Sequence, residues 1–527
     1  MSTLAGTGEL IRLALRRDRV VIPVWLAGLV LPLYGSVAST AALYPTEAAR
    51  AQAAGVIAAN PAVVALYGPA TDLHTLGGLG AWKPSSFVAV LTALMSVLLV
   101  VRHTRADEEA GRLELLGSGV VGRHAPLTAA LAVAFGTNVV LTGLMALSLL
   151  GQDLPAGGVL ALAVGFGAVG CAFAAVAACT AQLTESARTA SGMAVAVLGA
   201  VFLARAAGDA GDTWLTWLSP IGWTQRTRPF GDLHWWPLAL FLVLVPAVTA
   251  LAFRLAGRRD LAAGLLPSRP GPAVGGLHGP FALAWRLQRG SLLGWSVGFL
   301  VLGGALGSVA SSIGDVLGDN PALRSFVDRF GGTTVLADAY LATSMGIAAI
   351  LAAAYAVQSA LRLRGEEQAA RAEPLLATAV PRTTWALSHY VIALLGPVVL
   401  LTVAGLAGGL AHGLRVGAVG EQLPRVVAAA LVQLPAVWVV AGIALAVFGV
   451  APRWAAAGWG VLGAFLLITE LGPTLDLPGW VIDLSPFGHV PRVPVVSPAA
   501  TPLLALLAVA AALSAVGLAG LRRRDLA

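Results

Sequence analysis

The chain has 527 residues, of which 57% are apolar by a wide definition and only 11% are charged. Soluble domains carry roughly 25% charged residues, so a soluble fold of this length could not cover its surface with so few. Together with a mean hydropathy of +0.83, this predicts an integral membrane protein. The two cysteines, Cys171 and Cys179, lie in one apolar run without neighbouring ligand residues, which excludes a disulfide framework and a zinc site.

Twelve apolar runs are long enough for transmembrane helices, each of which needs roughly 20 mainly apolar residues. They span residues 20–40, 84–101, 126–149, 157–181, 191–207, 235–253, 290–312, 340–361, 384–411, 424–449, 454–472 and 500–521. We therefore predict an all-α polytopic membrane protein of about twelve spans. The first run also has the flanks of a signal peptide, but a copy of it in mid-chain argues against that interpretation.

An even number of spans places both termini on one side of the membrane, and the basic residues indicate which side. With the N-terminus in the cytoplasm, the inner segments hold the arginine clusters Arg12, Arg16, Arg17, Arg19, Arg102, Arg105, Arg112, Arg123, Arg254, Arg258, Arg259, Arg362, Arg364, Arg371, Arg382, Arg522, Arg523 and Arg524. The sequence thus predicts a multi-pass protein of the bacterial cytoplasmic membrane with cytoplasmic termini. A basic inner rim suits anionic lipid headgroups and explains the net charge of +7 without nucleic acid.

The two halves of the chain share residues at nearly constant spacing, which indicates an internal duplication. Matching pairs are Arg16 and Arg286, Arg19 and Arg289, Trp25 and Trp295, Asn60 and Asn320, Glu108 and Glu367, Arg112 and Arg371, Arg123 and Arg382, and Pro220 and Pro486. The stretch RRDLA at 258–262 recurs at 523–527. Six helices per half give both halves the same orientation, a parallel repeat. We place the first half at 1–263, a Pro/Gly-rich cytoplasmic linker at 264–280 and the second half at 281–527.

The sequence lacks the residues needed for several kinds of chemistry. A P-loop requires a lysine after glycine, and Lys83, the only lysine, lies between Trp82 and Pro84, so we expect no ATP site and no enzyme in this chain. The eight histidines do not pair at metal-ligand spacing. The predicted spans are almost free of charge, with Glu470 at the outer end of the eleventh and Asp209 just past the fifth, which disfavours proton coupling through a buried carboxylate.

The most informative segments follow the second and eighth predicted spans. They read RHTRADEEAGRLELLGSGVVGRHAP at 102–126 and RLRGEEQAARAEPLLATAVPR at 362–382. On a helix, Glu108 and Arg112 lie four residues apart, as do Glu367 and Arg371, so each pair could bridge on one face. This predicts a short helix on the cytoplasmic membrane surface. A solvated connector would have the same pattern, but its duplication is easier to explain if both copies meet identical partners.

These loops resemble the coupling-helix loop of ABC-2 type transporter permeases, in which paired acids precede Gly, Arg, Glu-Leu-Leu, and later Val and Arg. The Leu-Ser-Pro-x-Gly-Trp segment at 218–223 is also similar to that family. The duplicated chain resembles the actinobacterial branch described as exporters of polyketide-type antibiotics, including the tetronasin-resistance type. The resemblance implies the permease subunit of an ABC multidrug exporter, with ATP and Mg²⁺ bound by two copies of a separate cytoplasmic ATPase.

The same resemblance assigns roles to individual residues. The residues implied for ATPase docking are Asp107, Glu108, Glu109, Arg112 and Glu114 in the first half and Glu366, Glu367, Arg371 and Glu373 in the second, with Glu185, Arg188 and Arg453 as secondary contacts. In the second copy Ala370 replaces Gly111 and Pro374 replaces Leu115, changes that could make the two docking sites unequal.

The resemblance also implies a substrate cavity between the halves, lined by the second, fifth, eighth and eleventh spans. Candidate lining residues are Phe87, Met95, Met193, Phe202, Tyr355, Gln358, Trp459 and Phe465, each of which ordinary helix packing would also explain. A lining with almost no charge predicts hydrophobic or amphipathic substrates. Two alternatives stay open: an ion-coupled secondary transporter and, less favoured, a membrane-embedded lipid-handling enzyme.

Outside the membrane, the loop at 41–83 is too long for a simple turn. Asn60 and Pro61 predict the start of a helix there, with Asn as cap and Pro in the first turn. The tryptophans around the sixth span predict an interfacial aromatic belt, and the resemblance also allows a re-entrant segment. They are Trp214, Trp217, Trp223, Trp235 and Trp236.

Overall fold

The computed structural model describes most of the chain and divides it into two compact units, Met1–Pro270 and Gly271–Ala527. The described residues are 2–58, 64, 67–69, 71–113, 119, 121–211, 213–260, 263–266, 278–311, 332–471, 478–495 and 499–524. Within them every regular element is a helix. The predicted helix start at Asn60 and Pro61, residue Glu114 and most of the predicted linker lie outside the described residues.

The described part of the first unit contains ten α-helices. They are α1 (Thr7–Arg17), α2 (Val21–Leu43), α3 (Glu47–Ala58), α4 (Leu76–His103), α5 (Arg105–Glu109), α6 (Ala125–Leu150), α7 (Ala156–Leu183), α8 (Ala187–Gly211), α9 (Pro220–Gln225) and α10 (Trp236–Ala256) among the described residues. A short 3₁₀ helix, Trp214–Leu218, precedes α9.

The second unit contains ten α-helices in its described part. They are α11 (Pro280–Ser311), α12 (Gly332–Ala360), α13 (Arg362–Gln368), α14 (Ala372–Leu376), α15 (Arg382–Val416), α16 (Val419–Leu431), α17 (Leu434–Val450), α18 (Ala457–Leu471), α19 (Gly479–Ile482) and α20 (Ala500–Arg523). Two 3₁₀ helices lie at Pro452–Trp454 and Pro486–His489.

Eleven helical segments in the described part are long and apolar enough to cross a membrane, which confirms an all-α, multi-pass membrane protein. They correspond to eleven of the twelve predicted runs. The remaining run, 454–472, contains α18, of which 15 residues lie in the described part of the chain.

In the first unit the chain turns at residues 18–20, at the start of the predicted span 20–40, and this turn separates the amphipathic α1 from the span α2. One predicted span has a break that the apolar pattern did not indicate. In the second unit the predicted span 424–449 is divided between α16 and α17. Pro435 lies in the first turn of α17, and because proline has no backbone N–H it cannot continue the hydrogen-bond ladder from α16.

The core of the first unit is built on α4 and α7. Both are largely buried, and α2, α6 and α10 pack against them. The amide of Asn138 on α6 donates to Ser96 Oγ on α4 at 2.9 Å, and a side chain at Gly170 on α7 would overlap that amide. Small residues thus bring these helices close enough for polar contacts, as in other membrane helix pairs.

The core of the second unit is built on α12 and α17, and glycines set its closest helix contacts. A Cβ atom at Gly307 on α11 would overlap the carbonyl oxygen of Gly408 on α15. A Cβ atom at Gly449 on α17 would likewise overlap the carbonyl oxygen of Gly517 on α20. The backbones therefore pack in direct contact, which only glycine permits.

At one end of the first unit, an ion pair joins the loop before α4 to the segment after α9. Arg228 donates two hydrogen bonds to Asp72, at 3.1 and 2.9 Å, and these bonds raise the pKa of Arg228 above its usual value. At the same end Trp214, Trp235 and Trp236 are exposed, as the predicted aromatic belt requires, whereas the interior of α9 is buried against its own unit. The rings of Trp217 and Trp236 stack 5.0 Å apart.

Candidate functional site

The first loop with paired acids forms the short helix α5, directly after α4. Thr104 joins the two helices. α5 ends at Glu109, and Gly111, two residues later, has a left-handed φ of 69°. Because the helix stops before Arg112, the predicted i, i+4 bridge from Glu108 to Arg112 does not form, and that prediction was wrong. Arg112 instead donates to Asp107 Oδ1 at 2.8 Å.

Glu108 is buried rather than presented to solvent, with 4% of its side chain exposed. Its two carboxylate oxygens accept from Arg259 Nη1 and Nη2 at 2.6 and 2.9 Å, and Arg105 Nη1 lies 3.1 Å away. Arg259 Nε also donates to Gln182 Oε1 at 2.6 Å. Glu108 thus links α5 to the end of α7 and to the segment that follows α10.

Arg105 is the second buried cation of this cluster. Its Nε and Nη2 donate to the carbonyl of Ala181 at 2.9 and 2.5 Å, and both terminal nitrogens lie 3.3 Å from the carbonyl of Ala263. Charge-assisted bonds of this kind are the strong class of hydrogen bond. They hold the start of α5 against the end of α7.

The second loop repeats this arrangement in the second unit. Glu367 on α13 accepts from Arg524 Nη1 and Nη2 at 3.0 and 2.9 Å, and its side chain is 10% exposed. The predicted bridge from Glu367 to Arg371 was wrong for the same reason as in the first unit. Ala370, with φ of 52°, ends α13 before Arg371 is reached. Glu366 forms an ion pair with Arg362 at 3.3 Å.

The helix end at Ala370 has the hydrogen bonds of a Schellman motif. The amide of Ala370 donates to the carbonyl of Glu367 at 3.0 Å, and that of Arg371 donates to the carbonyl of Glu366 at 2.9 Å. This motif needs a left-handed residue at the position of Ala370, where glycine is usual. Gly111 occupies the same position in the first loop.

A second contact of each loop reaches the same helix end. Arg123 Nη2 donates to the carbonyls of Gly257 and Arg259 at 3.0 and 3.2 Å. Its repeat partner, Arg382, donates through Nη1 to the carbonyl of Arg524 at 2.8 Å. Each loop therefore binds the end of the last helix of its own unit twice, once by the acid and once by the later arginine.

The other residues predicted to dock an ATPase either make different contacts or are exposed. Glu109 Oε2 accepts from the amide of Ala187 at 2.9 Å and so joins the first loop to the start of α8. The residues with exposed positions are Glu109, Arg112, Glu185 and Arg188 in the first unit and Arg371, Glu373 and Arg453 in the second. Asp107 is mostly buried and also accepts from Arg17 on α1 at 2.6 Å.

Sequence reasoning missed two groups of charged residues here. Arg259 and Arg524 belong to the repeated RRDLA stretch, which marked them as paired positions but gave no role. The second group surrounds the buried Asp18, whose carboxylate lies 3.0 Å from Arg102 Nη2 and 2.5 Å from His103 Nε2. Since the partners are far apart along the chain, local spacing could not indicate that they meet.

The candidate cavity residues differ in exposure within their own units. Met95 and Tyr355 are fully buried in the cores of their own units, and Phe465 packs against the core of the second unit. Phe87, Gln358 and Trp459 are exposed, and Met193 and Phe202 are half-buried. Gln358 Oε1 accepts from Trp295 Nε1 at 3.0 Å.

The expectation of nearly uncharged spans needs a correction at α8. Arg205 lies within the predicted fifth span and is 0% exposed. Its Nη1 lies 3.5 Å from Asp209 Oδ2 and 3.2 Å from Ser86 Oγ, and its guanidinium lies 4.6 Å from the centre of the Phe202 ring. A charge buried this deeply in a membrane segment is costly and usually has a specific partner.

Residues 277–522 match the protein family described as "Multidrug efflux system permease Rv1217c, C-terminal domain". Across 527 residues the chain is also 48% identical to the multidrug efflux system permease protein Rv1217c of Mycobacterium tuberculosis. That similarity covers 99% of this chain and 96% of the relative. It therefore extends over both units and both acidic loops.

Proposed function

Because the chain belongs to the multidrug efflux permease family of Rv1217c, we propose that it is the membrane-spanning subunit of an ATP-driven ABC-2 type exporter. In this proposal both termini lie in the cytoplasm. Two copies of a separate ATPase bind the acidic loops and carry the ATP and Mg²⁺. The exported compounds are hydrophobic or amphipathic drugs and antibiotics, including those of the polyketide type.

The observation that carries the proposal is the duplicated loop. Each unit places a short helix, α5 or α13, directly after a long span, and each fastens it to the end of the unit's last helix through a buried acid. A pair of equivalent, rigidly held helices suits a partner that acts as a pair. A solvated connector would need neither the buried carboxylates nor their repetition.

The burial of the acids changes which residues would contact the ATPase. Glu108 and Glu367 bind arginines of their own units, so they hold the loops in place rather than bind a partner. The exposed charges are better placed to contact a partner, among them the equivalent positions Arg112 and Arg371. Glu185 and Arg188 are also exposed. They lie on either side of Ala187, the first residue of α8, whose backbone amide donates to the carboxylate of Glu109.

The substrate class is inferred from the scarcity of charge in the membrane-spanning helices. Hydrophobic compounds gain free energy by leaving water, at roughly 25 cal/mol per Å² of apolar surface. Small hydrophilic ions would find few partners there, apart from groups that are already bonded, such as Arg205 and Asp209.

The proposal is tested by isolating the chain with a candidate ABC ATPase and measuring drug transport in vesicles. We expect the two to co-purify, the drug to stimulate ATP hydrolysis, and transport to require ATP. Transport that continues without any ATPase and collapses with the proton gradient would contradict the proposal and favour an ion-coupled secondary transporter.

The docking residues are tested by the double variant Arg112→Glu, Arg371→Glu. Charge reversal at an interface should weaken ATPase association at least about tenfold, which corresponds to roughly 1.4 kcal/mol. The matched control is Asp232→Arg, a reversal at an exposed position near the opposite end of α10, which should leave association unchanged. Equal association in all three proteins would show that the exposed loop charges do not dock the ATPase.

A further inference from the structure

The repeated RRDLA stretch lies beyond the last span of each half, and ATPase docking does not by itself explain why both copies keep it. The second arginine of each copy, Arg259 or Arg524, has a definite partner in its own unit. It forms two hydrogen bonds with the acid of the short helix, Glu108 or Glu367. The acid and the arginine are 151 residues apart in the first unit and 157 in the second.

We propose that these contacts form two clasps that make each coupling helix move together with the last helix of its own unit. The first clasp is Glu108 with Arg259 and Arg123, and the second is Glu367 with Arg524 and Arg382. ATPase movements would thus be delivered to α10 and α20 directly. The inference rests on the proposed function, because it concerns how ATPase motion reaches the membrane helices.

The geometry of the clasps would pass both translations and rotations of the short helix on to the last helix of the unit. A guanidinium that binds both oxygens of a carboxylate fixes the angle between the groups as well as their distance. Arg123 and Arg382 add a bond to the backbone at the same helix end. A rotation of the short helix cannot leave the last helix behind without breaking these bonds.

The arginines are themselves joined to their helices. The amides of Gly257 and Arg258 donate to the carbonyls of Phe253 and Leu255 and extend α10 toward Arg259. In the second unit the amide of Arg524 donates to the carbonyl of Gly520 at 3.2 Å, so the clasp residue directly continues α20. Neither clasp is therefore separated from its helix by an unstructured segment.

The two clasps are unequal. In the first unit, Arg259 also binds Gln182, and Glu108 has a second cation in Arg105. In the second unit the guanidinium of Arg524 lies over the ring of Phe448 at 4.7 Å, and within the described residues Arg524 is the ion-pair partner of Glu367. If Arg259 is replaced, Glu108 still pairs with Arg105. If Arg524 is replaced, Glu367 has no second arginine of this kind among the described residues. Substitutions in the second clasp should therefore reduce transport more.

The experiment uses the complete complex of permease and ATPase in vesicles. The variants are Arg524→Glu, Glu367→Arg and the charge-swapped double variant. We expect drug molecules moved per ATP to fall at least fivefold in each single variant. Arg524→Glu, which lies outside the acidic loop, should keep ATPase association and basal hydrolysis. The double variant should recover most of the loss, because it restores the ion pair. Arg523→Glu, a reversal at the exposed neighbour, is the matched control and should behave like the unmodified protein.

Two further variants keep the proposal open to refutation if a charge reversal prevents folding. Arg524→Lys retains the charge but not the two-pronged geometry and should still lower drug moved per ATP. Arg259→Lys should lower it less. Unchanged drug per ATP in folded Arg524→Glu, or a swap that restores nothing, would overturn the clasp. An unmodified complex without ATP-dependent transport would instead overturn the proposed function, and the clasp with it.

Discussion

Replacing Arg205 with methionine removes a buried charge from α8 while nearly preserving the length of the side chain. Asp209 would then keep its buried carboxylate, whose side chain is 0% exposed, without its nearest cation at 3.5 Å. Breaking a buried ion pair from one side costs about 3–5 kcal/mol. Arg226, 3.9 Å from the same carboxylate, and Thr216, which donates to it at 2.9 Å, remain. We therefore expect a loss of about 3 kcal/mol, the lower end of that range.

Neutralising the second partner should reverse part of this loss. In the double variant Arg205→Met, Asp209→Asn no buried charge is left uncompensated, and apolar replacements of buried ion pairs are often close to neutral. The hydrogen bonds from Arg205 to Ser86 and Gln225 are still missing, which leaves a deficit of about 1–2 kcal/mol. The double variant should thus be more stable than the single variant.

The measurement is the free energy of unfolding in detergent, followed by tryptophan fluorescence during a denaturant titration. Arg226→Met is the control, because that side chain is 30% exposed and its pair with Asp209 is longer, so its cost should stay below about 1 kcal/mol. If the single and double variants lose the same stability, the ion pair does not compensate the buried charge, and the reasoning is refuted.

Two smaller predictions concern the backbone. Ala370→Gly should stabilise the second unit by up to about 1 kcal/mol. A left-handed alanine costs roughly 1–2 kcal/mol, and the larger entropy of glycine in the unfolded chain offsets part of the gain. A lower melting temperature would contradict this. Gly307→Ala should prevent folding because its Cβ would overlap the backbone of Gly408, whereas a Cβ at Gly304 meets no atom within 4 Å, so Gly304→Ala should express normally. Size-exclusion chromatography in detergent distinguishes the two variants, and equal profiles would disprove the close backbone contact.

Much of the architecture follows from local sequence, because the properties concerned are themselves local. Apolar runs of about 20 residues must be helical in a bilayer, where each backbone polar group needs a partner within its own segment. Eleven of the twelve runs accordingly form long apolar helices. The short helices α5 and α13 also formed where their acids predicted them. Their boundaries were harder, because one left-handed residue, Gly111 or Ala370, ends each helix before its arginine.

The partners of the charged residues could be decided only by the tertiary structure. Spacing along a helix suggested Arg112 for Glu108, but the carboxylate binds Arg259, 151 residues away. The burial of Arg205 likewise depends on α4, α8 and the segment around Gln225 meeting around it. The sequence by itself determined the membrane class, the helices and the repeated motifs. Which charges meet depends on helix packing, because an ion pair needs two side chains within about 4 Å and chain separation does not limit that distance.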